Sequence, residues 1–294
     1  MDDLETRELR YFLAVADELH FGRAAERIGI AQPPLSRAIR RLEERLGTPL
    51  FVRDRRGAAL TEAGEVLQRE GRIALTAVAA AARRTRRAGA RAQRVVLVTK
   101  AGASHELLEA ILDTHAADAG AVPIEVLLCE IGEQETHLRD GSADVALMHR
   151  PFDVLDGFAT EDLHTEQQVA ILPRSHALAA RASVTLADVE SIPGLPAARW
   201  PRRDGSYADG PGPEVHTQSQ LAQLVALGRT VIVIPRSSRS WQWPEHVAVP
   251  VLDAPLATTT IAWRPETASP AVARVVANAL RASTAFAAAE RRSA

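Results

Sequence analysis

The sequence predicts two folds in series: a mainly-α winged helix-turn-helix, followed by an α/β domain. Three observations point there. The chain opens with two short amphipathic segments, a glycine turn and a longer basic segment; a strand pair around a charged tip comes next; beyond residue 94, strand-like and helix-like segments alternate. With 294 residues and 46% hydrophobic content, the chain has enough apolar surface for two or three cores.

The elements follow in order. From Arg7 to Leu19, Leu9, Phe12, Leu13 and Ala16 recur at helical spacing. Gly22–Ile28 predicts a second helix, Gly29 a turn, and Gln32–Leu46 a third helix with Pro33 and Pro34 at its start. Pro49–Leu60 reads as two strands with Gly57 closing a wing. Thr61 caps a long helix whose stripe runs through Ala63, Val66, Leu67, Ile73, Ala74, Ala77, Val78 and Ala81. So long a stripe beside so small a domain needs a partner.

Further on, strands are expected at Val95–Thr99, Ile124–Glu130, Asp144–His149, Gln168–Leu172, Val231–Ile234 and Thr258–Trp263. Helices are expected at Ser104–Ala117, Glu133–Asp140, Gln218–Leu227 and Pro270–Arg281, covering largely parallel sheets on both faces. Residues 195–214 are rich in Pro and Gly and read as an ordered loop or flap.

The net charge of −2 hides an asymmetry. Residues 1–94 carry 19 Arg against 13 acids, and residues 95–294 carry 16 basic residues against 24 acids. The first part is therefore the one suited to phosphate. A single cysteine, Cys129, excludes an intramolecular disulfide framework and reads as a small core residue. The N-terminus is acidic where a secretory signal is basic and then apolar, and no apolar run reaches membrane-spanning length, so a cytoplasmic protein without a membrane partner is expected. His105-Glu106 and Ser175-His176 lack the partners of a metalloprotease or a nucleophile–base pair, and no glycine loop suits a nucleotide; neither an enzyme, a metal nor a cofactor is expected.

Several motifs in fixed order carry a family resemblance: Leu9-Arg-Tyr-Phe12, His20-Phe-Gly-Arg-Ala-Ala25, Ala31-Gln-Pro-Pro-Leu-Ser-Arg37, Ile39-Arg-Arg-Leu-Glu43, Leu46-Gly-Thr-Pro-Leu-Phe51 and Leu60-Thr-Glu-Ala-Gly64. Downstream, Leu138–Leu147 and Val225–Pro235 extend the match. The chain resembles LysR-type transcriptional regulators. The resemblance implies a DNA-binding domain (1–60), a dimerising linker helix (61–90) and an effector domain (91–294) built like two-lobed periplasmic solute-binding proteins. Lobe 1 is expected at about 91–163 and 265–294, and lobe 2 at about 164–264. The implied partners are double-stranded DNA, a second copy through the linker helix with further assembly to a tetramer, and a small-molecule effector. The alternative is an effector-independent or architectural DNA protein whose sensor is vestigial.

Residues near the start of a recognition helix reach base edges in the major groove, which singles out Gln32, Pro33, Pro34, Ser36, Arg37 and Arg40. Arg53, Arg55 and Arg56 of the wing suit the backbone or a narrow minor groove, although a solvated face or pairing of the helix arginines with Glu43 or Glu44 is the plainer reading.

In the resembled family the effector lies between the lobes, which selects Thr99, Lys100, Gly102 and Ser104 where the first strand meets a helix N-terminus. Lys100 is the sole lysine; ligand contact, an internal salt bridge and a solvated charge stay open for it. Glu133 departs from the small polar residue common in the family, and a Lys100–Glu133 pair would admit a zwitterionic ligand or close on itself. Trp200, Thr217 and Gln218 are the candidates from the second lobe, with Trp200 either a stacking face or an apolar plug. Arg150, expected where the chain crosses between lobes, contacts ligand or forms a hinge salt bridge.

Overall fold

A computed structural model describes residues 4–54, 57–88, 94–200, 206–238 and 243–293. The chain forms two compact units, residues 1–86 and 87–294.

The first unit packs α1 (Thr6–Glu18), α2 (Phe21–Arg27) and α3 (Gln32–Leu46) around Phe12, Leu35, Ile39 and Leu42, which have no exposed surface. His20 starts α2 by accepting the Gly22 and Arg23 backbone N–H groups on Nδ1, at 3.1 and 3.3 Å. Strands β1 (Phe51–Asp54) and β2 (Gly57–Leu60) pair antiparallel as the wing. Glu43 of α3 accepts the Leu50 and Phe51 backbone N–H groups, fixing the wing to the helix. Then α4 (Glu62–Ala88) begins where Thr61 Oγ1 donates to Pro49 O and accepts from Gly64 N, at 2.8 and 3.0 Å.

The second unit contains β3 (Val95–Lys100), α5 (His105–Ala116), β4 (Ile124–Cys129), α6 (Gln134–Arg139), β5 (Val145–Arg150), β6 (Ala159–Glu166), β7 (Gln168–Pro173), α7 (Leu186–Glu190), α8 (Gln218–Ala226), β8 (Ile232–Pro235), β9 (His246–Pro250), β10 (Ala257–Trp263) and α9 (Pro270–Ser293). One sheet has the order β4-β3-β5-β10-β6 and the other β8-β7-β9. Alternation along β3 and β5 sends Val95, Leu97, Val145 and Leu147 into one core with α5 and α9, and Val96, Val98, Ala146 and Met148 into another on the opposite face. The second sheet is covered by the clusters around Leu172 and Val189 and around Ile171 and Leu221.

Three expectations need correction. Only the β3–β4 and β3–β5 pairs between named strands are parallel; β10 runs antiparallel to β5 and β6, and β7 antiparallel to β8 and β9. The apolar runs of β7 and β10 are buried on both faces, which a parallel and an internal antiparallel strand share. Second, β10 was expected in lobe 2 but belongs to the first sheet, so the chain crosses between sheets at 166–168 and 251–257. Gln168 ties the two crossings together, its Nε2 donating to Pro255 O at 2.7 Å and its backbone oxygen accepting Val251 N at 3.1 Å. Third, Arg150 is therefore not at a crossing: it ends β5, is exposed and pairs with Asp162.

Candidate functional site

The start of α3 is a polar, exposed helix end. Gln32, Pro33, Pro34, Arg37 and Arg40 are exposed and Ser36 is half-buried, while Leu35, Ile39 and Leu42 pin the opposite face into the core. Neither Arg37 nor Arg40 has an ion pair among the described residues, and Glu43 Oε1 accepts from the wing backbone. Basic groups held free on the outward face of a rigid helix are what groove reading needs. Arg53 lies on β1; Arg55 and Arg56 fall outside the described residues.

One face of α4 lies on α1, with Arg72 Nη2 2.6 Å from Asp17 Oδ1 and the bare Cα of Gly71 turned to Leu9. Elsewhere on α4, Val66, Ile73 and Val78 keep 45, 54 and 44% exposure.

In the second unit the C-terminal ends of β3, β4 and β5 and the loops that follow them form one edge of the first sheet, the place where α/β folds hold ligands. Lys100 Nζ sits 2.9 Å from Asp153 Oδ2 and 3.0 Å from Oδ1, with both side chains nearly buried. Asp153 also accepts His149 N at 2.7 Å. Burial alone would raise the Asp153 pKa, but His149 and the Lys100 charge together outweigh it and hold the carboxyl below its usual range. His149 is pushed down by burial and is neutral at pH 7. Its Nε2 lies 2.9 Å from Ser104 Oγ, which lies 3.0 Å from Thr259 Oγ1.

A serine, a histidine and an aspartate in line invite comparison with a hydrolytic triad, but the geometry is wrong for one. His149 Nδ1 is 3.7 Å from Asp153, the aspartate is claimed by Lys100, and Ser104 is 2% exposed. Thr99 Oγ1, His149 Nδ1 and both ends of the Gln134 amide are buried at this edge without a hydrogen bond among the described residues.

Glu133 does not face Lys100 in an ion pair. Its Oε2 accepts Glu130 N at 2.9 Å, closing the tight turn after β4 around Gly132, whose φ is +84°. The reason is local: a carboxylate three residues on reaches its own turn's N–H before it reaches across the sheet. Gly102 has φ +73° and Ser104 φ +48°, so the turn into α5 is left-handed at both.

From the second sheet, Thr217 caps α8, accepting Gln220 N at 3.2 Å, and Gln218 is buried. Trp200 packs into the cluster of Val215, Leu221 and Ile234, as an anchored plug does. Among the described residues of the flap, Arg199 donates to Gly212 O and Ala208 O at 2.7 and 2.8 Å and pairs with Glu214. The sequence reading does not single out Asp153, His149 or Glu130; a histidine at a strand's C-terminal end and an aspartate just past it are the available signal.

A family model described as "Bacterial regulatory helix-turn-helix protein, lysR family" matches residues 6–65, and one described as "LysR substrate binding domain" matches residues 88–285. The chain belongs to the LysR family. As a LysR-type protein it is a DNA-binding transcriptional regulator with an effector-binding domain. Its LysR-type relatives include the HTH-type transcriptional regulator BudR of Raoultella terrigena, 31% identical over 275 residues covering 89% of this chain and 95% of that one. The HTH-type transcriptional regulator AlsR of Bacillus subtilis (strain 168) is 33% identical over 201 residues, 67% of this chain and 66% of that one. The crystal structure of CbnR, a LysR family transcriptional regulator, has the same fold, with a TM-score of 0.61 at 22% identity over 95% of this chain and 99% of that one. No helix among the described residues is long and apolar enough to cross a membrane.

Proposed function

We propose that this LysR-type regulator reads a two-fold DNA site through Gln32, Pro33, Pro34, Ser36, Arg37 and Arg40 of paired α3 helices, with Arg53, Arg55 and Arg56 of the wing on the flanking backbone. Arg37 and Arg40, exposed and without an ion pair among the described residues, carry this reading. Pairing through the exposed Val66, Ile73 and Val78 of α4 supplies the symmetry, and dimers of dimers give a tetramer. The protein works in the cytoplasm, where its DNA is, and is not an enzyme: the buried Ser104 and the misaligned His149 support that.

A small-molecule effector binds between the lobes, needing no cofactor or metal. The unsatisfied polar groups of Thr99, His149 and Gln134 support a polar ligand there, alongside Gly102 and Ser104 at the α5 turn and Thr217 and Gln218 at α8. Lys100 is already neutralised by Asp153, which favours a hydroxylated or zwitterionic molecule over a bare anion.

Titration of a specific and a scrambled duplex at several salt concentrations tests the DNA reading. Arg37→Ala weakens specific binding by about 1–3 kcal/mol, whereas Arg55→Ala reduces the salt slope by about 1 on both duplexes. Equal loss on both duplexes by Arg37→Ala would overturn base reading.

A further inference from the structure

The turn after β4 belongs to the first sheet, yet its two leading residues make their contacts on the second. Glu130 Oε2 accepts the backbone N–H of Gln218, the first residue of α8, at 3.3 Å. Ile131 beside it is packed against the apolar cluster of Val215, Leu221 and Ile234, the same cluster that holds Trp200. The turn is held in shape by its own reciprocal bonds, Glu130 N to Glu133 Oε2 at 2.9 Å and Glu133 N to Glu130 O at 3.4 Å. A carboxylate on a helix N-terminus and an apolar side chain in a neighbouring core are both favourable contacts, and here both span the two lobes.

We propose that Glu130 and Ile131 form a built-in latch that holds the two lobes together in the ligand-free protein, with Glu130 satisfying the N-terminus of α8. The hinge permits this: the lobes are joined by two short crossings tied through Gln168, so a contact at the mouth sets the opening angle. Effector entry requires the latch to release, a consequence that rests on the cleft being the effector site; the latch itself stands without it.

Residue-resolved hydrogen exchange of the full, ligand-free chain tests the latch, with no effector needed, so its outcome is independent of whether one is found. Glu130→Gln keeps the shape and removes the charge; Ile131→Ala removes the apolar anchor. Each variant accelerates exchange at Gln218 and through 215–218 by about tenfold, the scale of removing the charge from one hydrogen bond or of losing one small apolar anchor, while β3 and β7 keep wild-type protection. Unchanged exchange at 215–218 in both variants overturns the latch. So does acceleration that spreads through β7, which marks a general loosening of the second lobe instead.

Discussion

Lys100 and Asp153 form a buried ion pair across 53 residues of sequence, Nζ 2.9 Å from Oδ2. Removing one partner leaves the other charge buried without compensation. Lys100→Met therefore destabilises the second unit by about 3 kcal/mol, and Lys100→Met with Asp153→Asn recovers much of that loss. Urea unfolding of the three proteins measures it; equal stability of the single variant and the parent would show the pair to be solvated.

The same cluster sets a pH response. His149 has a folded pKa below its ordinary 6.5, so the unfolded chain binds the proton first. Its contribution to stability is full above pH 6.5 and is lost as pH falls toward the folded value. Asp153, held below 3.8, adds a second loss that begins under that pH. Thermal unfolding from about pH 8 to about pH 2 shows stability declining on the acid side, and His149→Gln flattens the first part of the decline.

Gly64 faces a wall: a Cβ there would meet Leu50 O at 2.2 Å and Leu60 Cδ2 at 2.9 Å. Backbone cannot yield as a flexible side chain does, so Gly64→Ala costs the first unit about 2 kcal/mol. Calorimetry resolves this as a lower melting transition of the first unit with the second unmoved.

Ile73 is 54% exposed on α4 in the single chain. A charge there leaves the protomer fold intact and places like charges together in a pair of α4 helices. Ile73→Glu converts the dimer to monomer at micromolar concentration in sedimentation velocity and weakens binding to the two-fold site more than to a half-site.

Cys129 is buried and its thiol is pushed up to about 12, chiefly by burial and by the nearby Glu133 carboxylate. At neutral pH it stays a thiol and resists maleimide until the second unit unfolds. Rapid labelling of the native chain would contradict this.

The helices of the first unit were legible because their apolar spacing, caps and prolines act within a few residues: α3 spans Gln32–Leu46 as the sequence indicates. Other elements were not. Strand β6, ATEDLHTE, carries little apolar signal because it lies at the sheet edge, and β9 is five residues long. The partner of Lys100 was sought at Glu133 since both flank expected strand ends; Asp153 sits in a loop with no periodicity, and only the fold brings it close. The sequence reads Glu130 as the last residue of a strand, and nothing in its neighbours tells that Gln218, 88 residues away, meets it. Contacts that depend on where loops land are written in the topology, while contacts that depend on spacing are written in the sequence.

Because the chain has one lysine and that lysine is folded beneath Asp153, its chemistry toward proteases and acylating reagents is unusual. A lysine-specific endoprotease has a single cleavage site, after Lys100 at the end of β3, and reaches it only when the first sheet opens. Acylation of the Lys100 amine is held back in the same way. A protein so rich in arginine thus carries, in its one exception, a single-event reporter of whether its sensor domain is folded.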